Sequence, residues 1–496
     1  MMTHRSDSFR LLLVLLLAST TSGCALMDVF RPRDPVRDLR TDIDRLVTDS
    51  LFRSSLAGVK VVSLRTNEVL YAHDDSLLLR PASNTKLLTT AAALFLLGSD
   101  YRFRTTVAMD SLPAGGILEG NLYLKGYGDP DLATADLDSL ADSLAHSGLT
   151  HVRGDLVVDA TYFGPEYFPI GWMWDDEPDP DGAPVSALSL NKNCVRVTVA
   201  PDSLTHRTAT LTVTPPTSYV SLVNCSTVVT DTVRKRISVD RQFEDRSNTI
   251  VVRGEILSDS PPVTQRTTVW QPELYAGTVF REALAQRGIV IDGDVRFGLE
   301  PDSVTVVAQT IQPMDSMLVN LNKISDNLSA ENTLRVMGAV TFGPPGTTPS
   351  GLWARNQALA TLGIDTTSFR FVDGSGVSHY DLVTPATLVD VLRAMYHQPS
   401  IFPLYYASLP IAGVDGTLSG RMRGTAAQGN LRGKTGTISG VASLSGYVTT
   451  ADGELLAYSM LMQNFIRRTD LYRAVQDSIG ARLAAFSRSG PTVVRR

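Results

Sequence analysis

The chain has 496 residues, enough for two or three domains, and its 43% hydrophobic and 19% charged residues are typical of a globular protein. The formal net charge is −6 and no basic cluster stands out, which argues against a nucleic-acid partner. Beyond the N-terminal segment, no apolar run is long enough to cross a bilayer.

The N-terminus has the features of a targeting signal. Basic residues precede the apolar run 11–18, and small residues then lead to Cys24. This pattern resembles a bacterial lipoprotein signal, with residues 1–23 removed, lipid on the Cys24 thiol and residues 24–36 as a tether. Ala25 follows the cysteine where an aspartate would favour inner-membrane retention. We therefore expect a periplasmic protein whose only membrane contact is a lipid anchor, most simply in the outer membrane. The alternative is a plain secretory signal with an incidental cysteine.

The first folded segment reads as a helix, a hairpin and a second helix. Apolar residues recur at helical spacing from Val36 to Leu51, and residues 59–64 and 69–72 form two short apolar runs separated by a turn. From Leu87 to Gly98 nearly every position is apolar, which predicts a helix buried on almost all sides. These elements begin an α/β domain.

Ser83 and Lys86 lie three residues apart at the start of this buried helix. They share one helix face, and the free backbone N–H groups there favour developing negative charge. A lysine that loses its hydration has a lowered pKa, so its free amine could take the serine's proton. The alternative for Ser83 alone is an ordinary helix-capping serine.

A second Ser-x-x-Lys pair, Ser189 and Lys192, follows the same spacing. It precedes an alternating run, 194–199, that predicts a strand, where residues three apart point to opposite faces. We interpret this second pair as structural.

In residues 101–301 the sequence pattern changes to short alternating apolar segments separated by turn residues. This pattern predicts a β-rich insertion built of hairpins. We assign 101–187 and 266–301 to an inserted domain II and 188–265, rich in Thr, Val and Ser, to a nested domain III. Domain III contains Cys194 and Cys225. In an oxidising exported compartment these two cysteines are expected to form a disulfide.

Helical periodicity returns after the insertion, at 314–324, 328–334 and 387–396. Alternating segments at 441–448 and 455–461 then predict strands, and a last helix is predicted near 472–486. The catalytic domain therefore comprises 37–100 and 302–490.

Two polar motifs in this part could complete the Ser83–Lys86 site. Ser325-Asp326-Asn327 falls between two predicted helices, which suits a loop that brings a hydroxyl and an amide into a cleft. Lys434-Thr435-Gly436-Thr437 opens a strand: Lys434 offers a cation that would also disfavour protonation of Lys86, Thr435 a hydroxyl for a carboxylate, and Gly436 room for a ligand. Taken singly, the alternatives are a polar loop and a strand-opening turn.

Together and in this order, the three motifs resemble those of the penicillin-recognising serine enzymes. More narrowly, the chain resembles the class C low-molecular-mass penicillin-binding proteins, the D-alanyl-D-alanine carboxypeptidase/endopeptidases of peptidase family S13. The resemblance extends over nearly the whole mature chain, and a long insertion between the first two motifs is characteristic of that family. Further shared segments are Gly128-Asp129-Pro130, Gly171-Trp172-Met173-Trp174, Asp373-Gly374-Ser375-Gly376 and Leu409-Pro410-Ile411-Ala412-Gly413.

The resemblance implies an α+β transpeptidase-like domain, an antiparallel sheet with helices, that is interrupted by the insertion. It implies acyl transfer from peptidoglycan stem peptides, with Ser83 as nucleophile and Lys86 as base, and acylation by β-lactam antibiotics. The backbone N–H groups of Ser83 and Thr437 would hold the oxyanion, and Ser325 would pass a proton to the leaving D-alanine. Asn327 would hold the substrate amide. No cofactor is expected, and the histidines show no metal-binding spacing.

Specificity is expected from the segment Gly171 to Asp176, which combines two tryptophans with two carboxylates. In the family that the chain resembles, the position of Asp176 binds the free amino end of the stem's diamino acid. A carboxylate in a partly dry cleft can pair with such an ammonium. The alternative is that Asp175 and Asp176 are solvated loop residues.

Two other functions share these motifs. A serine β-lactamase would use the same nucleophile, although the long insertion argues against it. A catalytically silent peptidoglycan-binding lipoprotein would keep the fold alone, although the intact motifs argue against that.

Overall fold

The computed structural model describes residues 34–202 and 207–489. The predicted signal peptide and Cys24 lie outside these residues. Within them, no helix combines the length and the apolar character that a membrane span requires.

In the catalytic part, six helices match predicted segments, whereas the helices at 348–361 and 402–408 were not predicted. The helix bounds are α1 Pro35–Val47, α2 Thr85–Leu97, α3 Thr134–His146, α4 Pro272–Gln286, α5 Met314–Lys323, α6 Asn327–Phe342, α7 Thr348–Thr361, α8 Pro385–Tyr396, α9 Phe402–Ser408 and α10 Thr469–Ala484.

The strands form five sheets in the described residues. Their bounds are β1 Leu56–Ser63, β2 Val69–His73, β3 Arg102–Met109, β4 Ile117–Leu118, β5 Leu122–Gly126, β6 His151–Val152, β7 Leu156–Asp159, β8 Cys194–Ala200, β9 Thr210–Thr214, β10 Ser221–Val229, β11 Ser238–Arg241, β12 Thr249–Leu257, β13 Val263–Thr268, β14 Val290–Ile291, β15 Val295–Phe297, β16 Thr305–Pro313, β17 Arg432–Ile438, β18 Val441–Thr449 and β19 Leu455–Gln463.

The catalytic part is built on one antiparallel sheet with the order β17-β18-β19-β1-β2. The predicted hairpin β1–β2 therefore pairs with strands from the far end of the chain. β18 and β19 are buried on both faces because helices cover both. Leu444 and Met460 face a cluster with α1 and α10, whereas Tyr447 and Leu461 face a cluster with α2 and α8.

The helix α2 lies at the centre of this second cluster. Residues 85–94 are all buried, which confirms the prediction of a helix covered on nearly all sides. A 3₁₀ turn, Ala82–Asn84, leads into it, and Gly98 ends it with a φ of 80°, in the region that favours glycine. Ser83 therefore lies on a turn whose position is fixed because it continues directly into a buried helix.

The insertion is not a set of hairpins. Its main sheet has the order β15-β7-β5-β3-β16, in which β5, β7 and β15 run parallel. Parallel neighbours need a crossover, and the helices α3 and α4 supply the two crossovers. The expectation of short strands alone is wrong here. β16 also lies beyond the boundary predicted at 301, yet it pairs with β3 in the insertion's sheet.

The nested segment contains two three-stranded sheets, β13-β8-β9 and β10-β12-β11. Cys194 begins β8 in the first sheet and is buried, whereas Cys225 lies in β10 of the second sheet and is exposed. Both are free thiols, so the predicted Cys194–Cys225 disulfide is wrong. The physical reason is that two cysteines on strands of different sheets, one facing inward and one outward, do not bring their sulfur atoms together.

Candidate active site

Ser83 and Lys86 are in direct contact. The Lys86 Nζ donates to Ser83 Oγ at 2.9 Å, and the lysine side chain is fully buried. Burial lowers the pKa of Lys86 to about 8, while the carboxylates of Asp373 and Glu331 work in the opposite direction. A lysine with this pKa is about one-tenth free amine at neutral pH, far more than an ordinary lysine, and the free amine can accept the serine's proton.

The Ser325-Asp326-Asn327 motif spans the junction between α5 and α6, as predicted. The Lys86 Nζ also donates to Asn327 Oδ1 at 2.6 Å and to the Ser375 carbonyl at 2.8 Å. The Asn327 amide donates in turn to the Asp181 carbonyl at 2.9 Å. Ser325 has a φ of 67°, an uncommon conformation for a non-glycine residue, on the turn that presents its hydroxyl to the site.

Lys434 approaches the same site from β17. Its Nζ donates to Ser325 Oγ at 2.8 Å and to the Thr435 carbonyl at 2.8 Å. Burial and the neighbouring Lys86 hold the pKa of Lys434 well below its ordinary value. Lys86 differs in that the carboxylates of Asp373 and Glu331 oppose the lowering of its pKa.

The absence of a side chain at Gly436 has a reason in the packing of the protein itself. A Cβ there would lie 2.2 Å from Ser443 Oγ and 2.8 Å from the Ser83 nitrogen. Gly436 therefore lets the Ser83 turn pack closely against β17. The Asn84 side chain fastens the same junction by donating to the Lys434 carbonyl at 2.9 Å.

These groups open onto a cleft of about 750 Å³. Ser83, Ser325, Asn327, Thr435, Gly436, Thr437 and Asp176 all line it. The structure thus brings the three predicted motifs and Asp176 to one cavity. Lys86 and Lys434 lie immediately behind its wall.

Asp176 lies on a wall that the insertion contributes, together with Asp175, Asp179 and Asp181. It accepts a bond from the Met173 backbone at 3.3 Å, and burial raises its pKa. Trp174 is 74% exposed and packs beside Phe243, so the tryptophan belongs to the rim of the insertion and not to a core.

The second Ser-x-x-Lys pair, Ser189 and Lys192, has a structural role, as predicted. It lies close to the Ser83 site. Lys192 is an ion-pair partner of Asp131 and of Asp326, the latter at 3.0 Å, and its Nζ donates to Ser329 Oγ at 2.9 Å. Ser189 instead donates to the Ser186 carbonyl. Lys192 thereby fastens the Ser325-Asp326-Asn327 loop to the insertion.

Two features of the site were not assigned from the sequence. The Ser375 carbonyl is a direct partner of Lys86, and its loop is held by Asp373, which accepts from the Gly376 and Ser378 backbones. Arg473, on α10, lines the cleft and donates to Thr437 Oγ1 at 2.8 Å. A backbone carbonyl leaves no signal in a sequence, and Arg473 was predicted only as part of the last helix, near 472–486.

The family assignment follows from comparison with known proteins. Residues 39–486 match the D-Ala-D-Ala carboxypeptidase 3 (S13) family. The chain belongs to this family. It is thus a hydrolase, a D-Ala-D-Ala carboxypeptidase of the S13 serine peptidases, and the predicted family is confirmed.

Individual S13 relatives are similar over most of their length. A D-alanyl-D-alanine carboxypeptidase from Actinomadura sp. (strain R39) is 39% identical over 465 residues, which cover 91% of this chain and 85% of the relative. The carboxypeptidase DacB from Haemophilus influenzae is 27% identical over 423 residues, 84% of this chain and 88% of the relative.

The fold agrees with a solved structure of this S13 group. The crystal structure of penicillin binding protein 4 (dacB) from Haemophilus influenzae has a TM-score of 0.76 at 26% identity and covers 89% of this chain and 98% of that one. Another structure of that protein is complexed with a β-lactam and has a TM-score of 0.72. The predicted penicillin-recognising fold is confirmed. Enzymes of this family act on the cell wall, which places the protein in the periplasm or outside the cell.

Proposed function

We propose that this S13 enzyme releases the terminal D-alanine of peptidoglycan stem peptides through an acyl-enzyme on Ser83, and that the same chemistry serves a cross-link endopeptidase reaction. The observation that carries the proposal is the 2.9 Å contact between Ser83 Oγ and the buried Lys86 amine. A serine hydroxyl is a weak nucleophile unless a base takes its proton, and no other amine contacts Ser83 within the described residues.

The reaction begins when the neutral Lys86 takes the Ser83 proton as Oγ attacks the carbonyl of the penultimate D-alanine. The backbone N–H groups of Ser83 and Thr437 stabilise the oxyanion that forms. Support for this geometry is the close packing of β17 on the Ser83 turn, which Gly436 permits. Asn327 keeps Lys86 and the substrate amide in register.

Breakdown of the tetrahedral intermediate needs a proton on the departing amine. Ser325 supplies it, and Lys434 replenishes Ser325 through their 2.8 Å contact. Water then attacks the Ser83 ester and restores the free serine. Penicillins acylate Ser83 in the same way, because the β-lactam carbonyl occupies the place of the scissile amide.

Labelling with a fluorescent penicillin tests this function and separates the alternatives. The soluble chain should form a lasting adduct on Ser83 and release D-alanine from a stem pentapeptide. Ser83→Ala should abolish both, by roughly 10⁴-fold or more, and Lys86→Ala should be nearly as severe. A transient adduct with rapid turnover would indicate a β-lactamase, and no adduct a silent scaffold. If Lys86→Ala kept more than about a tenth of the rate, Lys86 would not be the base.

Substrate specificity comes from Asp176, which pairs with the free ammonium of the stem's diamino acid. The support is its position in the cleft among three further carboxylates of the insertion, 175, 179 and 181. A charge-assisted hydrogen bond of this kind contributes about 1.5–3 kcal/mol.

Asp176→Asn therefore should lower kcat/KM roughly 10–100-fold for a stem peptide with a free side-chain amine. The same peptide with that amine acetylated, and acylation by a penicillin without an amine, should hardly change. Asp175→Asn is the matched control, since it removes an adjacent charge from the same wall and should have a much smaller effect. Equal losses on the free and acetylated peptides would show that Asp176 does not bind the amine.

The location of the enzyme follows from its N-terminus. Cys24 carries a lipid that anchors the protein to the inner leaflet of the outer membrane; the support is the sequence pattern around Cys24 alone. Mass spectrometry of detergent-extracted protein should find a diacylglyceryl group on Cys24. An unmodified N-terminus beginning at another residue would contradict the anchor.

A further inference from the structure

Trp172 joins the cleft wall of the insertion to the loop behind the catalytic lysine. Its indole N–H donates to Asp373 Oδ2 at 3.2 Å. Trp172 belongs to the segment 171–176, whose Asp176 lines the cleft. Asp373 belongs to the loop 373–378, which the catalytic part contributes. One hydrogen bond therefore connects these two parts of the chain beside the site.

Gly171 permits this contact. It has a φ of 83°, in the region that favours glycine, and a Cβ there would lie 2.2 Å from Ser378 Oγ and 2.8 Å from the Tyr380 ring. The backbone of the insertion therefore packs directly against residues 378–380. This packing fixes the indole beside Asp373, so the contact is not that of a loose surface side chain.

Asp373 is fully buried and uses both of its carboxylate oxygens. Oδ1 accepts from the Gly376 backbone at 2.7 Å, and Oδ2 accepts from the Ser378 backbone at 2.8 Å as well as from the indole. The loop is folded around this carboxylate. Of these three donors, Trp172 comes from the insertion.

The same loop is a partner of Lys86. The Ser375 carbonyl accepts from Lys86 Nζ at 2.8 Å, and Glu331 holds the loop by accepting from the Gly374 backbone at 2.9 Å. Burial lowers the pKa of Lys86, and Asp373 is the carboxylate that opposes this lowering most strongly. The loop therefore acts on the lysine both through a hydrogen bond and through a charge.

We propose that Trp172 is a positioning residue for acyl transfer, which acts through Asp373 on the Lys86 amine. The assignment rests on the proposed acyl-enzyme on Ser83. Asp373 holds the loop in place, and the Ser375 carbonyl of the loop keeps the lysine next to the serine. The insertion thereby affects the chemical step as well as the binding of substrate.

Loss of the indole N–H has two consequences for Lys86. The loop loses its bond to the insertion, so the Ser375 carbonyl is held less firmly. Asp373 also loses the partial positive charge of a donor, so its carboxylate stabilises the Lys86 ammonium more strongly and the pKa of Lys86 rises. The other charged groups that face these two residues stay the same: Glu331, Asp326, Asp181 and Lys434 around Lys86, and Asp381, Glu331 and Arg355 around Asp373.

The test follows acylation by a penicillin that lacks an amine and therefore makes no use of Asp176. Trp172→Phe keeps an aromatic ring and removes the N–H. Its acylation rate constant at pH 7 should fall roughly tenfold, since small displacements of positioning groups have large effects on rate. The pH at which the rate levels off, about 8 in the wild type, should move up by about half a unit. A misfolded fraction would lower the amount of adduct and not the rate constant.

Trp174→Phe is the matched control. It makes the same exchange two residues further along the segment, but Trp174 is exposed and packs beside Phe243 at the rim. This variant should keep the wild-type rate constant and pH dependence. Trp172→His tests rescue, because the Nε2–H of the smaller ring can occupy the place of the indole N–H. It should restore part of the lost rate and the wild-type pH dependence.

A lower rate constant with an upward pH shift in Trp172→Phe, and neither in Trp174→Phe, supports the assignment. An unchanged rate constant, or a lower one with the wild-type pH dependence, overturns it. A loss confined to stem peptides with a free amine also overturns it, since Trp172 would then act in substrate binding. If Trp172→Phe does not fold, Trp172→His decides: the wild-type pH dependence supports the assignment, and a shifted one overturns it. A wild-type protein that is neither labelled at Ser83 nor releases D-alanine overturns the proposed function, and the Trp172 assignment with it.

Discussion

Lys86 and Lys434 are both fully buried at the site, yet their surroundings differ in charge. Lys86 has the carboxylates of Asp373 and Glu331 nearby, which partly offset its burial and leave its pKa at about 8. Burial and the neighbouring cation Lys86 hold the pKa of Lys434 well below its ordinary value. Lys86 is the amine in contact with Ser83 Oγ, so its ionisation limits the attack by Ser83.

The pH dependence of acylation follows from the pKa of Lys86, which is about 8. Lys86 accepts a proton only as the free amine, which is the minor form below its pKa. The second-order rate constant for acylation by a penicillin without an amine should rise about tenfold per pH unit at low pH and level off above about pH 8. Stopped-flow labelling between pH 6 and pH 10 measures it, with circular dichroism to show that the fold persists. A rate that stays flat from pH 6 to pH 9 would contradict Lys86 as the base.

At the scale of single residues, the sequence indicates which residues belong to the site, but it does not indicate every structural reason for their presence. The Ser83–Lys86 spacing predicts the contact because both residues share one helix face. Gly436 has a second reason that the sequence does not indicate, since the atoms that a side chain there would meet belong to Ser443 and the Ser83 turn. That crowding arises because β17 packs on the turn that precedes α2, between residues about 350 positions apart in the chain. A local sequence pattern does not predict such a contact.

At the scale of elements, the start of α6 is the junction that holds the site together. Asp326 caps α6 by accepting from the Ser329 backbone at 2.7 Å, and Lys192 of the insertion pairs with the same carboxylate. Ser325 and Asn327 flank Asp326. The insertion therefore positions two catalytic side chains through one lysine.

Lys192→Met should disrupt this junction. Removing the lysine leaves Asp131 and Asp326 as largely buried carboxylates without their cation, which costs about 3–5 kcal/mol of stability. Because Asp326 lies between Ser325 and Asn327, penicillin acylation should also slow at least roughly tenfold, since small displacements of positioning residues have large effects on rate. Denaturation midpoints and labelling rates measure the two effects.

Lys125→Met is the control for this experiment. Lys125 also bridges two carboxylates, Asp159 at 3.1 Å and Glu300 at 3.5 Å, and it is as little exposed as Lys192, but it lies within the insertion's sheet. The Lys125→Met variant should be less stable than the wild type but should have the wild-type acylation rate. If both variants lost activity only in proportion to their stability, Lys192 would have no positioning role.

Most elements of the catalytic part were predictable because each has a clear period, although α7 and α9 were not predicted. α2, α5, α6 and α8 all lie where apolar residues recur at helical spacing, and β18 and β19 where they alternate. In the insertion, α3 was missed although Leu137, Leu140, Ala141 and Leu144 have helical spacing and are buried. The turn signals around it are those of hairpins, and only the pairing of β5 with β7 reveals that a crossover helix is required.

At the scale of the whole molecule, the cleft is assembled from three distant parts of the chain. The motifs of the catalytic part surround Ser83, the insertion provides the acidic wall at 175–181, and α10 provides Arg473. The sequence predicts each part separately. Which parts meet depends on the closure of one sheet by β1, β2 and β17 to β19, which joins the two ends of the chain. Arg473 could therefore not be placed at the cleft before the fold was known.

The nested subdomain also depends on packing rather than on a covalent link. Its two sheets share one apolar cluster with the rest of the insertion, to which Val197, Val199, Ile250 and Val252 contribute. Cys194 and Cys225 lie in different sheets of this subdomain and do not join them. Burial of apolar surface, which contributes about 25 cal/mol per Å², therefore stabilises the packing of these sheets.

Thiol chemistry of the soluble chain from Ala25 onward, purified without reductant, should reveal two free cysteines. In the native protein only Cys225 should react with a thiol reagent, because it is exposed, whereas Cys194 is buried and burial raises its pKa to about 11. Unfolding in denaturant should release the second thiol. A reductant should leave the thermal midpoint unchanged, since no covalent link constrains the unfolded chain. Unreduced, unfolded monomer without reactive thiols, and a midpoint that falls on reduction, would show that the two sulfurs are joined after all.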